Sequence, residues 1–109
     1  MDSILERLTI ILQERRYADP STSYVAGIHA KGINKVLEKV GEEATEVILA
    51  AKDAESCGNV NELVKETADL WFHTMVLLSH MESSPAAVLE ELERRFGTSG
   101  LEEKTTRSK

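Results

Sequence analysis

Apolar residues recur at three- and four-residue steps along most of the chain, and that period reads as helix almost throughout. Ile4, Leu5, Leu8, Ile11 and Leu12 make a first stripe, with Asp2 or Ser3 as its cap and Glu6 placed as the partner of a capping box on Ser3. Arg15 and Arg16 suit the negative end of that helix. Tyr17 to Ser23 contains Asp19-Pro20-Ser21, which favours a connecting loop. Ser23 to Lys31 permits a short helix through Tyr24, Val25 and Ile28, although Gly27 and Gly32 leave an ordered loop equally open.

Beyond Gly32 the strongest helix runs to about Ala54. Ile33, Val36, Leu37, Val40, Ala44, Val47, Ile48 and Ala51 occupy a sector about 120° wide at 100° per residue. Lys35, Lys39, Glu42, Glu43 and Glu46 fall on one flank of it. Gly41 interrupts this helix at a cost of about 1 kcal/mol relative to Ala, which points to a close helix crossing or the approach of a ligand. Ser56, Gly58 and Asn59 supply a turn, and a third long helix follows from about Asn61 to Met81. Its second half, Leu70 to Leu78, is apolar nearly all round, more than a chain this short can cover by itself. Ser84 with Pro85 opens a last helix bearing Val88, Leu89, Leu92 and Phe96, and Gly97 ends it. The expected architecture is all-α, one domain over residues 1–97 with a polar tail over 98–109, completed by a second copy.

Composition refines this picture. Two prolines and six glycines in 109 residues leave long windows for helices. A net charge of -6 argues against polymeric nucleic acid as a partner, since that needs a basic surface to release counterions. A small anionic ligand stays compatible, because a bound cation dominates the field at its own site. The single Cys57 offers no internal disulfide and no thiolate pair for zinc, and charges interrupt every apolar run near the start, so the expectation is a cytoplasmic protein without a membrane span.

The candidate chemistry lies in acids. Glu42, Glu43 and Glu46 alone would most often be a solvated helix face. Glu66 and Asp69, one turn apart on the next helix, change the balance, because carboxylates on an otherwise apolar helix need a cation or a donor. Two acidic pairs on neighbouring helices can hold a hard divalent ion between them, and oxygen ligands without thiolates select Mg²⁺ or Mn²⁺. The reaction class that follows is metal-assisted hydrolysis of a phosphoric anhydride, with carboxylates orienting or deprotonating water and Lys35 and Lys39 as candidates to meet phosphate. His73 shares a stripe about 60° wide with Glu66 and Asp69 and is a candidate for a substrate contact, although such a histidine is more often a hydrogen-bonded core residue. His29 and His80 have no evident partners. No Walker-type phosphate loop is present.

Longer stretches carry a resemblance. Ser23-Tyr24-Val25-Ala26, Ala30-Lys31-Gly32, Lys39-Val40-Gly41-Glu42-Glu43-Ala44-Thr45-Glu46, Glu66-Thr67-Ala68-Asp69-Leu70, Phe72-His73 and Leu92-Glu93-Arg94-Arg95-Phe96-Gly97 resemble the phosphoribosyl-ATP pyrophosphatases, within the all-helical, MazG-like nucleoside triphosphate pyrophosphohydrolases. The resemblance implies Mg²⁺-dependent conversion of 1-(5-phosphoribosyl)-ATP to the AMP compound and pyrophosphate, the second step of histidine biosynthesis. It implies metal at Glu43, Glu46, Glu66 and Asp69, catalytic roles for Glu42 and Glu43 with Glu42 a further ligand or the orienter of water, and a homodimer whose helices form a four-helix bundle. Two rivals are a housekeeping pyrophosphohydrolase of ordinary nucleoside triphosphates and a non-catalytic helical dimerisation module.

Overall fold

The computed structural model describes residues 3–97, and among these it contains five helices and no strand. Helix α1 spans Ile4–Arg16, α2 Tyr24–Lys31, α3 Ile33–Cys57, α4 Asn61–His80 and α5 Pro85–Phe96. The expected tail over 98–109 and the alternative cap Asp2 lie outside the described residues.

Local chemistry accounts for most of the boundaries. The capping box forms as expected: Ser3 Oγ accepts from the Glu6 amide at 3.0 Å and Glu6 Oε1 accepts from the Ser3 amide at 3.2 Å. At the open stretch, helix wins over loop. Ser23 Oγ caps α2 by accepting from the Ala26 amide at 3.2 Å, and Gly32, at φ 95°, ends α2 and starts α3 in the same residue. Helix α3 continues past Ala54 to Cys57, because the left-handed residue that stops it is Gly58 at φ 77°, whose N–H reaches back to the Ala54 carbonyl at 2.8 Å. Pro85 sits at the first position of α5, where its missing N–H costs nothing.

Packing is uneven along the molecule. Helices α3 and α4 are joined through the short Gly58–Val60 link and pack most extensively on each other, with the small Ala50 and Ala54 buried. The buried cluster lies at the other end, where Leu12 of α1, Val25 and Ile28 of α2, Val36 of α3 and Met75 and Val76 of α4 meet. Leu5, Leu8, Phe72 and Leu77 pack against it. Each fully buried valine here contributes about 1.5–3 kcal/mol. Arg16 ties α1 to the end of α4 by donating to the Ser79 carbonyl and pairing with Glu82.

One expectation needs correction. Gly41 is exposed, and a Cβ built there meets no atom within 4 Å, so no helix crossing in this chain requires it. Trp71, inside the apolar run of α4, is 60% exposed, in keeping with a run that a chain this short does not cover by itself. The close approach occurs instead at Gly27, where a Cβ would lie 3.3 Å from the Pro20 carbonyl oxygen.

Candidate active site

Helical spacing sets Lys35, Lys39 and Glu43 one turn apart along α3, and Glu66 and Asp69 one turn apart on α4. Packing of the two helices then brings one oxygen each from Glu43, Glu66 and Asp69 within 4.8 Å of one another. Glu46 is exposed and stands outside this trio, yet its charge acts on Glu66. The Glu66 carboxyl is held above its ordinary range, first by partial desolvation and then by a hydrogen bond with Glu62 and the charges of Glu46, Glu62 and Asp69. Glu62 is the acid that sequence reasoning missed. Its signal was present, since it lies four residues before Glu66 on the same stripe.

Carboxylates crowded so closely that Glu66 is pushed toward its neutral form are a poor resting arrangement for anions alone and a fitting one for a hard divalent cation. Glu43, Glu66 and Asp69 supply oxygen donors from two elements, a set that could hold a metal ion.

The lysines lie on the neighbouring surface. Lys39 donates to Glu42 Oε1 at 3.3 Å and is held above its ordinary pKa by that bond first, then by Tyr24, Glu42 and Glu43. Lys35 pairs with Glu38 at 3.0 Å. Both line a cavity of about 500 Å³ with Lys31, Tyr24, Gly27, Ile28 and the turn from Pro20 to Ser23.

His73 does not reach that cavity directly. Its imidazole is 7% exposed, with Nδ1 2.9 Å from the Asp69 carbonyl and Nε2 2.8 Å from the Tyr24 hydroxyl. The carbonyl can only accept, so Nδ1 carries the proton, and in the neutral ring Nε2 accepts from Tyr24 Oη. The imidazole thus holds Tyr24 at the cavity wall, in the manner of the hydrogen-bonded core histidine that such a position more often gives. His29 and His80, which had no evident partners in sequence, pair with each other: their Nδ1 atoms are 2.9 Å apart and their rings are stacked at 5.1 Å.

The family model for phosphoribosyl-ATP pyrophosphohydrolase matches residues 5–96, which takes in the five helices except for Ile4 at the start of α1. The chain belongs to that family. As a phosphoribosyl-ATP pyrophosphohydrolase it is a hydrolase of histidine biosynthesis acting on a small-molecule nucleotide, and the all-α architecture fits. No helix among the described residues is long and apolar enough to cross a membrane.

Proposed function

We propose that the chain hydrolyses 1-(5-phosphoribosyl)-ATP to 1-(5-phosphoribosyl)-AMP and pyrophosphate with Mg²⁺ held by Glu43, Glu66 and Asp69, and with Glu46 as a further ligand. The observation that carries this reading is the convergence of the three carboxylates from two helices within 4.8 Å. The reaction consumes one water and breaks the anhydride between the α- and β-phosphates, so pyrophosphate leaves. Bound among these acids, Mg²⁺ would supply Lewis-acid polarisation of the phosphate oxygens. Glu42, exposed and held by Lys39, and Glu43 beside it orient or deprotonate the attacking water. Lys39 and Lys35 offset charge developing on the phosphates. His73 acts through Tyr24, which it holds at the cavity wall.

We further propose that residues 1–97 act as a homodimer. Ile48, Leu49, Val64 and Trp71 are each more than half exposed on the α3–α4 pair, and a second copy offering the same helices would complete a four-helix bundle over them.

Glu66→Gln tests the metal assignment. Pyrophosphate release from phosphoribosyl-ATP should fall by about 100-fold or more, and the Mg²⁺-dependent rise in Tm seen with the parent protein should disappear. Retention of both would overturn it. Faster release from ATP and dUTP than from phosphoribosyl-ATP in the parent protein would favour the housekeeping activity instead.

A further inference from the structure

Helix α2 is tied to α4 by a side-chain hydrogen bond near each of its ends. At its first residue the Tyr24 hydroxyl donates to His73 Nε2, and in its last turn His29 Nδ1 meets His80 Nδ1 at 2.9 Å. Isolated helices shorter than about 12 residues are marginal in water, so the eight residues of α2 keep their place through these contacts and through burial of Val25, Ala26 and Ile28. The α4 side of the second contact is braced. Arg16 donates to the Ser79 carbonyl and pairs with Glu82 at 3.1 Å, while the amides of Met81 and Glu82 return to the carbonyls of Leu77, Leu78 and Ser79. His80 therefore sits on a fixed end, and His29 on a short helix that stops at Gly32, φ 95°.

Two Nδ1 atoms can bond only through one proton between them, so one ring donates and the other accepts. The Nε2 atom of His29 decides which. It is buried and has no partner, and a buried N–H without an acceptor costs more than a bare lone pair. His29 therefore carries its proton on Nδ1 and donates, and His80 accepts at Nδ1 with its own proton on Nε2. A further proton has no good place. On His29 Nε2 it makes a charged N–H with nothing to receive it, and on His80 Nδ1 it sets two N–H groups against each other. Burial first, and then the charges of Arg16 from α1 and His80 from α4, hold His29 below the ordinary histidine value. Among the described residues no group of α3 acts on it, and Arg16 is itself met by Glu82.

We propose that His29 and His80 are a proton-gated clasp that positions α2, closed while the pair is neutral and opened when it takes up a further proton. Opening frees the last turns of α2, which carry Gly27, Ile28 and Lys31 of the cavity wall, so acid loosens substrate binding ahead of the chemistry. That consequence rests on the reading of the acid cluster and its cavity as the active site; the clasp itself does not. The sign follows from the lowered value of His29. As pH falls the unfolded chain takes the proton first, so the contribution to stability is complete above the ordinary value of 6.5 and is lost below it.

Imidazole nitrogen NMR of the full chain tests the clasp directly. At about pH 7.5 the His29 ring should be neutral with its proton on Nδ1 and the His80 ring neutral with its proton on Nε2, and the pair should titrate below the ordinary value. Two rings that both carry the proton on Nε2 and titrate separately at or above that value would sink the proposal. Amide exchange of residues 27–31, taken relative to Ala50 and Ala54 of α3, should quicken by about tenfold in the parent between about pH 7.5 and 5.5. His29→Phe lacks the clasp and should exchange fast at both pH values, whereas His80→Asn, whose amide oxygen accepts without titrating, should exchange slowly at both. KM for phosphoribosyl-ATP should follow the same order with kcat within about twofold, parent and variant being compared at each pH because phosphate groups titrate in this range. A parent ratio that does not change with pH, or a His29→Phe protein that matches the parent at about pH 7.5, would refute the gate. Exchange that behaves as expected in a parent that does not hydrolyse phosphoribosyl-ATP would support the clasp and overturn the active-site reading alone.

Discussion

His73 illustrates what single residues contribute and what sequence can say of them. Its stripe with Glu66 and Asp69 was legible from spacing, but the hydroxyl that claims its Nε2 comes from Tyr24, 49 residues earlier, and no local pattern encodes that meeting. The His29–His80 pair, 51 residues apart, escaped for the same reason. Tyr24→Phe should therefore cost stability, by about 1 kcal/mol in chemical denaturation, because a buried imidazole nitrogen loses its donor while the half-exposed position of Tyr24 admits water as a partial replacement. Glu91 provides a pH signature. Hydrogen bonds from Arg94 and Arg95 lower its pKa from 4.5 to about 2. A depressed carboxyl stabilises the fold above its unfolded pKa and loses that contribution as pH falls through the folded value. Glu91→Gln should accordingly melt slightly below the parent at pH 7, and the gap should close between about pH 4.5 and 2.

At the scale of elements, the helices were legible wherever a cap or breaker stands in the sequence. Ser3 with Glu6, Gly58 and Pro85 fixed three boundaries by chemistry that acts within a few residues. Helix α2 was ambiguous because Gly27 reads as a breaker; it serves instead as the point where the Pro20 carbonyl comes close, a contact set by tertiary packing. Gly41 misled in the opposite direction. It sits in the middle of α3 in open space at φ typical of helix, with nothing in this chain to accommodate. Gly41→Ala should raise stability by about 1 kcal/mol through helix propensity, as read from the denaturation midpoint. A loss of stability instead would mean that a second copy approaches α3 at that residue. For the acids, spacing along each helix placed Glu43, Glu66 and Asp69 correctly relative to their own axes, whereas their convergence depends on how α3 and α4 pack.

For the molecule as a whole, the apolar surface is larger than the described chain buries. Beside the α3–α4 face, a groove of about 250 Å³ runs between α1, α4 and α5, lined by Leu5, Trp71, Met75, Leu78, Pro85, Val88, Leu89 and Leu92. Trp71 borders this groove and also the apolar hollow formed with Leu63 and Val64. If the proposed dimer forms through these helices, Trp71→Glu should give a monomer by sedimentation and a lower Tm, since it sets a charge in the middle of the contact. Helix α3 has one more consequence. It is a single helix of 25 residues that carries Lys35, Lys39 and Glu43, so the spacing between those lysines and that carboxylate is counted in residues, like marks on a ruler. Inserting one residue between Lys39 and Glu43 would swing every later side chain by about 100° and turn the acids away from α4. Inserting seven would bring their direction back to within about 20° but stretch the interval by about 10.5 Å, beyond the span of a ligand cut to the original measure. If the proposed site forms on α3, length within this helix is as much a part of substrate choice as the identity of any side chain on it.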